Sequence, residues 1–266
     1  MIPSKSLDVD LELQRPGSPR LEVRCSISLG KTYLLGVCGP SGSGKTSFLR
    51  MLAGLLSPDS GSIVMGDSVW FDRDTGIDFP TERRAISYLP QNVCLFPHMT
   101  IRENLLFAAE SARPEKKRRF FAFSAGAGLY GKSPDGYAEE LARLSTLFGI
   151  EDLMDKKVGK ISGGQARKVA LARMFLKPCS LYLLDEPLTG IDPAARQSLT
   201  GVILGILEQT GVPAIWVTHS PDEVACVANE MAEFSISESE DRAGWLQKTR
   251  HGGSTFLGTE KEPLPG

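Results

Sequence analysis

Gly39-Pro40-Ser41-Gly42-Ser43-Gly44-Lys45-Thr46 is the stretch on which the reading of this chain turns. It follows the apolar run Leu34-Leu35-Gly36-Val37-Cys38 and precedes a helical spacing at Phe48, Leu49, Leu52 and Ala53. Strand, glycine loop and helix in that order are the context a phosphate-binding P-loop needs. Glycines let successive N–H groups converge on one anion with no Cβ in the way. The helix that opens at the loop's end adds its unpaired amides and the positive end of its dipole. Lys45 supplies a point charge for β- and γ-phosphates, and Thr46 a hydroxyl for Mg²⁺. A Gly/Ser-rich surface turn is the bland alternative, and the flanking strand and helix argue against it.

Downstream, Leu181-Tyr182-Leu183-Leu184 is an unbroken apolar run ending in Asp185 and Glu186. Beside a P-loop these carboxylates acquire roles. Asp185 can hold Mg²⁺ through water opposite Thr46, and Glu186 can polarise an attacking water as general base. A second carboxylate past the strand end suits hydrolysis better than phosphoryl transfer to a substrate. Between the two regions, Ile161-Ser162-Gly163-Gly164-Gln165 opens a helix with several free amides and a hydroxyl, which makes a second anion site. Taken alone, that motif could equally be an ordinary N-cap followed by two glycines. Two γ-phosphate readers with one P-loop suggest two copies meeting head to tail, each presenting Ser162 to the nucleotide held by the other.

The 266 residues suffice for one large domain, or one with a small lobe. A formal net charge of −2 gives no basic field to attract nucleic acid. The cysteines Cys25, Cys38, Cys94, Cys179 and Cys226 form no C-x-x-C pair, and four of them lie in or beside apolar runs as small core residues of a reducing compartment. No apolar run is long enough to cross a bilayer, and Met1-Ile2-Pro3-Ser4-Lys5 lacks a signal-peptide core. A soluble, cytoplasmic protein is expected, with any membrane role exerted through a partner.

Leu7 to Leu13 alternates apolar and acidic residues, the period of a half-buried strand, and Leu21, Val23, Cys25 and Ile27 continue it after the turn Arg15-Pro16-Gly17-Ser18-Pro19. Short strands are expected at 62–65, 69–71 and 85–89. Helices are expected from Ile101 to Glu110, with a Thr100/Glu103 capping box, and from Tyr137 to Phe148. Residues 111–137 begin basic, continue through Phe120, Phe121 and Phe123 and become Gly/Ser/Pro-rich, which reads as a surface insertion or a docking arm. From 162 onward helix and strand alternate: a helix to about Leu176, a strand at 181–184, a helix from Pro193 to Thr210 and a strand at 214–217. Ser220-Pro221-Asp222-Glu223 has the pattern of a capping box. One domain is expected over 1–237, with a helical lobe near 97–160 and a polar tail over 238–266.

With these stretches in view, the chain resembles the ATP-binding subunits of ABC transporters over about residues 7–232. Gly39–Thr46 matches the family's Walker A motif and Gln91, in Tyr88-Leu89-Pro90-Gln91, its Q loop. Ile161–Gln165 with Val169-Ala170-Leu171-Ala172-Arg173 matches the signature, and Leu181–Asp185 with Glu186 the Walker B motif. Thr189-Gly190-Ile191-Asp192 matches the D loop, and His219 the switch histidine. The resemblance implies an α/β fold with a mostly parallel P-loop NTPase sheet, a small antiparallel β lobe and a helical lobe. It implies ATP and Mg²⁺ as ligands, with Ser162, Gly163, Gly164 and Gln165 reaching nucleotide across a dimer. Thr46, Gln91 and Asp185 are the expected metal-facing residues, and Glu186, His219 and Gln91 the catalytic ones. Asp192 is expected to brace the opposite protomer. Ile161 and Lys168 stand where Leu and Arg are usual. No aromatic residue is present in the N-terminal strands to stack on adenine, and Arg15 or Arg20 could stack instead.

Gly76-Ile77-Asp78-Phe79-Pro80-Thr81-Glu82-Arg83-Arg84 and Leu95-Phe96-Pro97-His98-Met99-Thr100 are similar to the molybdate, sulfate, iron and polyamine importer group, and Trp70-Phe71-Asp72 to molybdate subunits in particular. The resemblance implies integral-membrane permease subunits as partners, a periplasmic or surface solute-binding protein, and a peripheral place on the cytoplasmic face of the membrane. Molybdate subunits commonly carry a C-terminal oxyanion-sensing domain, and the chain ends before one could follow, so no such regulation in cis is expected. Importers of sulfate, iron or polyamine, and a non-transport ATPase of the same superfamily acting on DNA, remain as alternatives.

Overall fold

The computed structural model describes residues 5–29, 33–111, 134–225, 227–237 and 242–250. The strands β1 (Lys5–Leu13) and β2 (Arg20–Leu29) form a hairpin with Leu13 opposite Leu21. Leu7, Val9, Leu11 and Leu13 point inward and are buried. The intervening acidic residues meet cations from β2: Asp10 accepts from Arg24 at 3.0 Å, and Glu12 pairs with Arg20. Period-two alternation thus separates an apolar face from a charge-paired one.

β3 (Leu34–Cys38) leads through the glycine loop into α1 (Lys45–Leu52), followed by β4 (Ser60–Met65), β5 (Ser68–Asp72), β6 (Ile77–Asp78) and β7 (Ile86–Leu89). The helical lobe comprises α2 (Ile101–Ser111), α3 (Pro134–Phe148) and α4 (Gly163–Phe175). The expected Thr100/Glu103 box closes α2: Glu103 N–H donates to Thr100 Oγ1 at 3.2 Å, and Thr100 N–H to Glu103 Oε2 at 2.7 Å. β8 (Leu181–Asp185), α5 (Pro193–Thr210), β9 (Ala214–Val217), α6 (Asp222–Ala225), β10 (Glu230–Ser237) and β11 (Arg242–Arg250) complete the order. Most of the 111–137 insertion, and the chain after 250, lie outside the described residues.

All eleven strands of the described residues join one sheet, ordered β6-β5-β4-β1-β2-β11-β10-β3-β9-β8-β7. From β10 to β7 the strands run parallel, whereas β1, β2, β4, β5 and β6 pair antiparallel. Of the parallel strands, β3, β8 and β9 are buried on both faces. In β8, Leu181 and Leu183 join an apolar cluster with α1 and the hairpin, while Tyr182 and Leu184 join a second cluster with α4 and α5. Ile101, Leu105, Leu141, Leu144 and Phe148 of the helical lobe belong to that second cluster, so the lobe shares its core with the sheet.

Two expectations are corrected. The region after 237 is not wholly a polar tail, since Arg242–Arg250 forms a strand between β10 and β2. Strand pairing uses backbone groups, so a segment rich in Arg, Lys and Gln can complete a sheet without an apolar run to announce it. Secondly, Ser220–Glu223 makes no capping box. The Glu223 carboxylate instead accepts from Thr218 Oγ1 at 2.8 Å and faces Arg196 at 3.6 Å.

Candidate functional site

Four neighbouring parallel strands, β3, β9, β8 and β7, end at one edge of the sheet, and each delivers part of a site there. This is the edge where open α/β sheets bind ligands. β3 runs into Gly39–Thr46, β8 ends at Asp185-Glu186, β9 at Thr218-His219, and β7 at Pro90-Gln91. A cavity of about 610 Å³ opens there, lined by Ser41, Gly42, Gly44, Lys45 and Thr46 with Gln91, Asp185, Glu186 and His219.

Gly44 N-caps α1 with φ 98°, and a Cβ there would come within 2.5 Å of Leu21. The left-handed backbone favours glycine, and a Cβ would in addition press on the Leu21 side chain of the hairpin packed behind it. Lys45 folds back over the loop, donating from Nζ to the Gly39 and Pro40 carbonyls at 2.7 Å each. Burial pulls its pKa below the usual lysine value, while Glu186, Cys38 and Asp185 oppose the shift. A phosphate in the loop would favour the charged form of Lys45.

Asp185 is fully buried, and each carboxylate oxygen has a hydroxyl donor. Thr46 Oγ1 donates to Oδ1 at 3.2 Å, and Tyr88 OH to Oδ2 at 3.3 Å. Burial raises its pKa, and those two hydrogen bonds oppose the rise. Among the described residues no group of three or more His, Cys, Asp and Glu side chains is arranged so as to hold a metal ion by itself. Thr46, Asp185 and Gln91 offer oxygen donors alone, which fits a hard divalent cation that shares its coordination with waters and phosphate oxygens.

Glu186 has a left-handed backbone, φ 52°, uncommon for a residue with a side chain. The conformation is held by its N–H, which donates to Val217 O at 2.9 Å. His219 Nδ1 lies 2.8 Å from both Glu186 carboxylate oxygens, and Thr189 Oγ1 donates to Oε2 at 3.3 Å. The Glu186 side chain is 9% exposed and that of His219 67%. A carboxylate thus stands at the cavity wall, oriented by an imidazole that itself faces solvent.

The structure gathers Ser41, Gly42, Gly44, Lys45, Thr46, Gln91, Asp185, Glu186 and His219 around one cavity, while Gly39, Pro40 and Ser43 of the same loop do not line it. Ser162, Gly163, Gly164 and Gln165 do not line it. They form the expected capping box at the start of α4: Gln165 N–H donates to Ser162 Oγ at 3.2 Å, and Ser162 N–H to Gln165 Oε1 at 2.9 Å. Asp192 caps α5, accepting from Ala194 N–H at 2.9 Å. Arg15 lines the cavity, whereas Arg20 is engaged by Glu12 and Glu22, so of the two arginines only Arg15 is placed to meet a base. Sequence reasoning did not single out Tyr88, Thr189 or Arg167. Tyr88 and Thr189 touch the two carboxylates, and Arg167 grips the Q loop. The sequence held no cue for Tyr88, because nothing in it placed the strand expected at 85–89 beside the one that ends at Asp185.

The ABC transporter family model matches residues 23–189. The molybdenum import ATP-binding protein ModC of Paramagnetospirillum magneticum is 38% identical over 226 residues, covering 85% of this chain and 56% of that protein. The ModC of Mycobacterium tuberculosis is 32% identical over 212 residues, with 80% and 53% covered. The chain spans about half the length of the curated relatives it matches. A bacterial ABC transporter cassette solved as a dimer superposes with a TM-score of 0.70 at 18% identity, covering 94% of this chain and 100% of that one. An ATP-binding subunit of an ABC transporter superposes at 0.69 and 21%, covering 93% and 90%. These two likenesses bear on the fold, which is that of an ABC ATPase. With a family model covering well over half its length, the chain belongs to the ABC transporter family.

Proposed function

We propose that the chain binds and hydrolyses ATP as one half of a head-to-tail homodimer, and that this powers solute uptake through integral-membrane permease subunits. The observation that carries the reading is Glu186, held by His219 at the cavity wall beside Asp185 and Thr46. Glu186 accepts a proton from the attacking water, and His219 orients the carboxylate and meets the γ-phosphate. The P-loop amides and Lys45 bind the β- and γ-phosphates. Thr46 and Asp185, with Gln91 nearby, would hold Mg²⁺, which would supply charge neutralisation to the phosphate oxygens. The relatives' names favour molybdate or a similar oxyanion as the solute. A periplasmic or surface binding protein delivers it, and the chain sits at the cytoplasmic face of the membrane through the permease. No described helix is long and apolar enough to cross a bilayer, which accords with attachment through partners.

The test is Glu186→Gln. The variant should bind ATP as the wild type does, elute as a dimer when ATP is present, and hydrolyse at least about a hundredfold more slowly. Wild-type turnover in the variant would remove Glu186 from the role of base.

A further inference from the structure

A buried arginine grips each end of β7. Before the strand, Arg84 donates to the carbonyls that close α1. After it, Arg167 reaches across from α4. Arg167 is 2% exposed, and it donates from Nη1 to Pro90 O at 2.9 Å and from Nη2 to Gln91 O at 2.5 Å. Its Nε has no hydrogen-bond partner. A buried guanidinium with a donor left over is a poor choice for stability, because an apolar side chain of similar size would carry no desolvation cost. A structure that keeps such a group invites a functional explanation.

The placement supplies one. The backbone of Gln91 is clamped, while its side chain is exposed and lines the cavity. The clamp stands on α4, five residues after Ser162, about 7.5 Å along the helix axis. One guanidinium therefore joins the loop that faces this chain's nucleotide to the helix whose tip faces the partner's. The field of Asp185 and Glu186 favours the charged form of Arg167 against the cost of burial, so the grip is electrostatically tied to the same two carboxylates. We propose that Arg167 is a positioning residue that locks the Gln91 backbone to α4, so that the amide serving one site and the Ser162 tip serving the other move as one body. The proposal rests on the head-to-tail reading above.

The experiment compares Arg167→Gln and Arg167→Lys with Ser162→Ala and wild type, all as full-length chains. A fluorescent ATP analogue reports binding, and turnover is followed against ATP concentration. Arg167→Gln should bind the analogue within about twofold of wild type while kcat falls about tenfold or more. Its Hill coefficient should fall from about two towards one, because the two sites no longer report to each other. Arg167→Lys keeps one charged donor and should recover part of kcat. If Arg167→Gln melts at a lower temperature yet keeps the wild-type kcat and Hill coefficient, Arg167 serves packing alone and the proposal fails. Ser162→Ala separates this result from failure of the parent reading. Wild-type turnover in Ser162→Ala overturns the head-to-tail arrangement, whereas loss there with Arg167→Gln unaffected overturns only the role of Arg167.

Discussion

Arg84 is among the largest fully buried side chains, at 1% exposure, yet it carries a charge. It donates to Met51 O at 2.6 Å, Leu52 O at 3.1 Å and Phe79 O at 2.7 Å, and pairs with Asp78 at 3.0 Å. Met51 and Leu52 close α1, so a cation sits at the negative end of the helix that carries Lys45 and Thr46. Arg84→Met keeps most of the volume but takes the donor from the Leu52 and Phe79 carbonyls, while Met51 O keeps the Gly54 N–H at 3.1 Å. Each orphaned buried acceptor costs about 1–3 kcal/mol, so a loss of roughly 2–4 kcal/mol in unfolding free energy is expected after apolar packing returns part of it. A urea titration at unchanged m-value measures it, and a midpoint equal to wild type would mean that the clamp is idle. None of this was legible in Arg83-Arg84, which reads as an ordinary basic pair. Lys45, Asp185 and Glu186 were legible because their chemistry is tied to spacing along the chain. Tyr88 was not, because its partner Asp185 lies 97 positions away and only the β7–β8 register brings it near.

Elements whose signals are local came through the sequence well. Ser162 and Gln165 close their reciprocal box at the start of α4, and Leu181–Leu184 is the doubly covered strand its apolar run implied. Elements defined by distant partners did not. β11 exists because β10 and β2 offer it edges, and Glu223 leaves its own helix for Thr218 and Arg196. The tip of α4 offers a test at this scale. A Cβ on Gly164 would come within 2.9 Å of Gly190 O, so the chain's own packing accounts for that glycine. A Cβ on Gly163 would meet nothing within 4 Å, and its φ is not left-handed. Nothing inside the described chain therefore requires glycine at 163, and alanine is the better helix former by up to about 1 kcal/mol. Gly163→Ala should leave the melting temperature unchanged or raise it, yet cut ATP turnover by at least about tenfold, because in the proposed head-to-tail dimer the added methyl would face the partner's nucleotide. Turnover at the wild-type rate, measured on the same sample as the melt, would mean that nothing approaches the tip of α4.

At the scale of the molecule, one sheet carries both an antiparallel hairpin lobe and a parallel core, and the cavity lies where the hairpin turn approaches the P-loop edge. The alternation of helix and strand after 162 made that core legible, while the order of its strands came only with the structure. The cavity is lined by the glycine loop with Lys45 and Thr46 and by Asp185, Glu186 and His219, whereas the amides at Ser162–Gln165 lie outside its lining. In the proposed head-to-tail dimer, closed two-fold symmetry would supply what is missing, since each tip would complete the other chain's cavity. Complementation distinguishes this from a monomer that folds its own tip inward. Ser162→Ala has an intact P-loop and Glu186 but a blunted tip, whereas Glu186→Gln has an intact tip and no base. Each alone should be nearly inactive. Mixed in equal amounts before ATP is added, random pairing makes half the dimers mixed, and each of these holds one site with every group intact, so turnover should recover to about a quarter of wild type if the two sites act independently. A self-sufficient monomer has no means of sharing a serine between chains, and for it the mixture would stay at the level of the two variants measured separately.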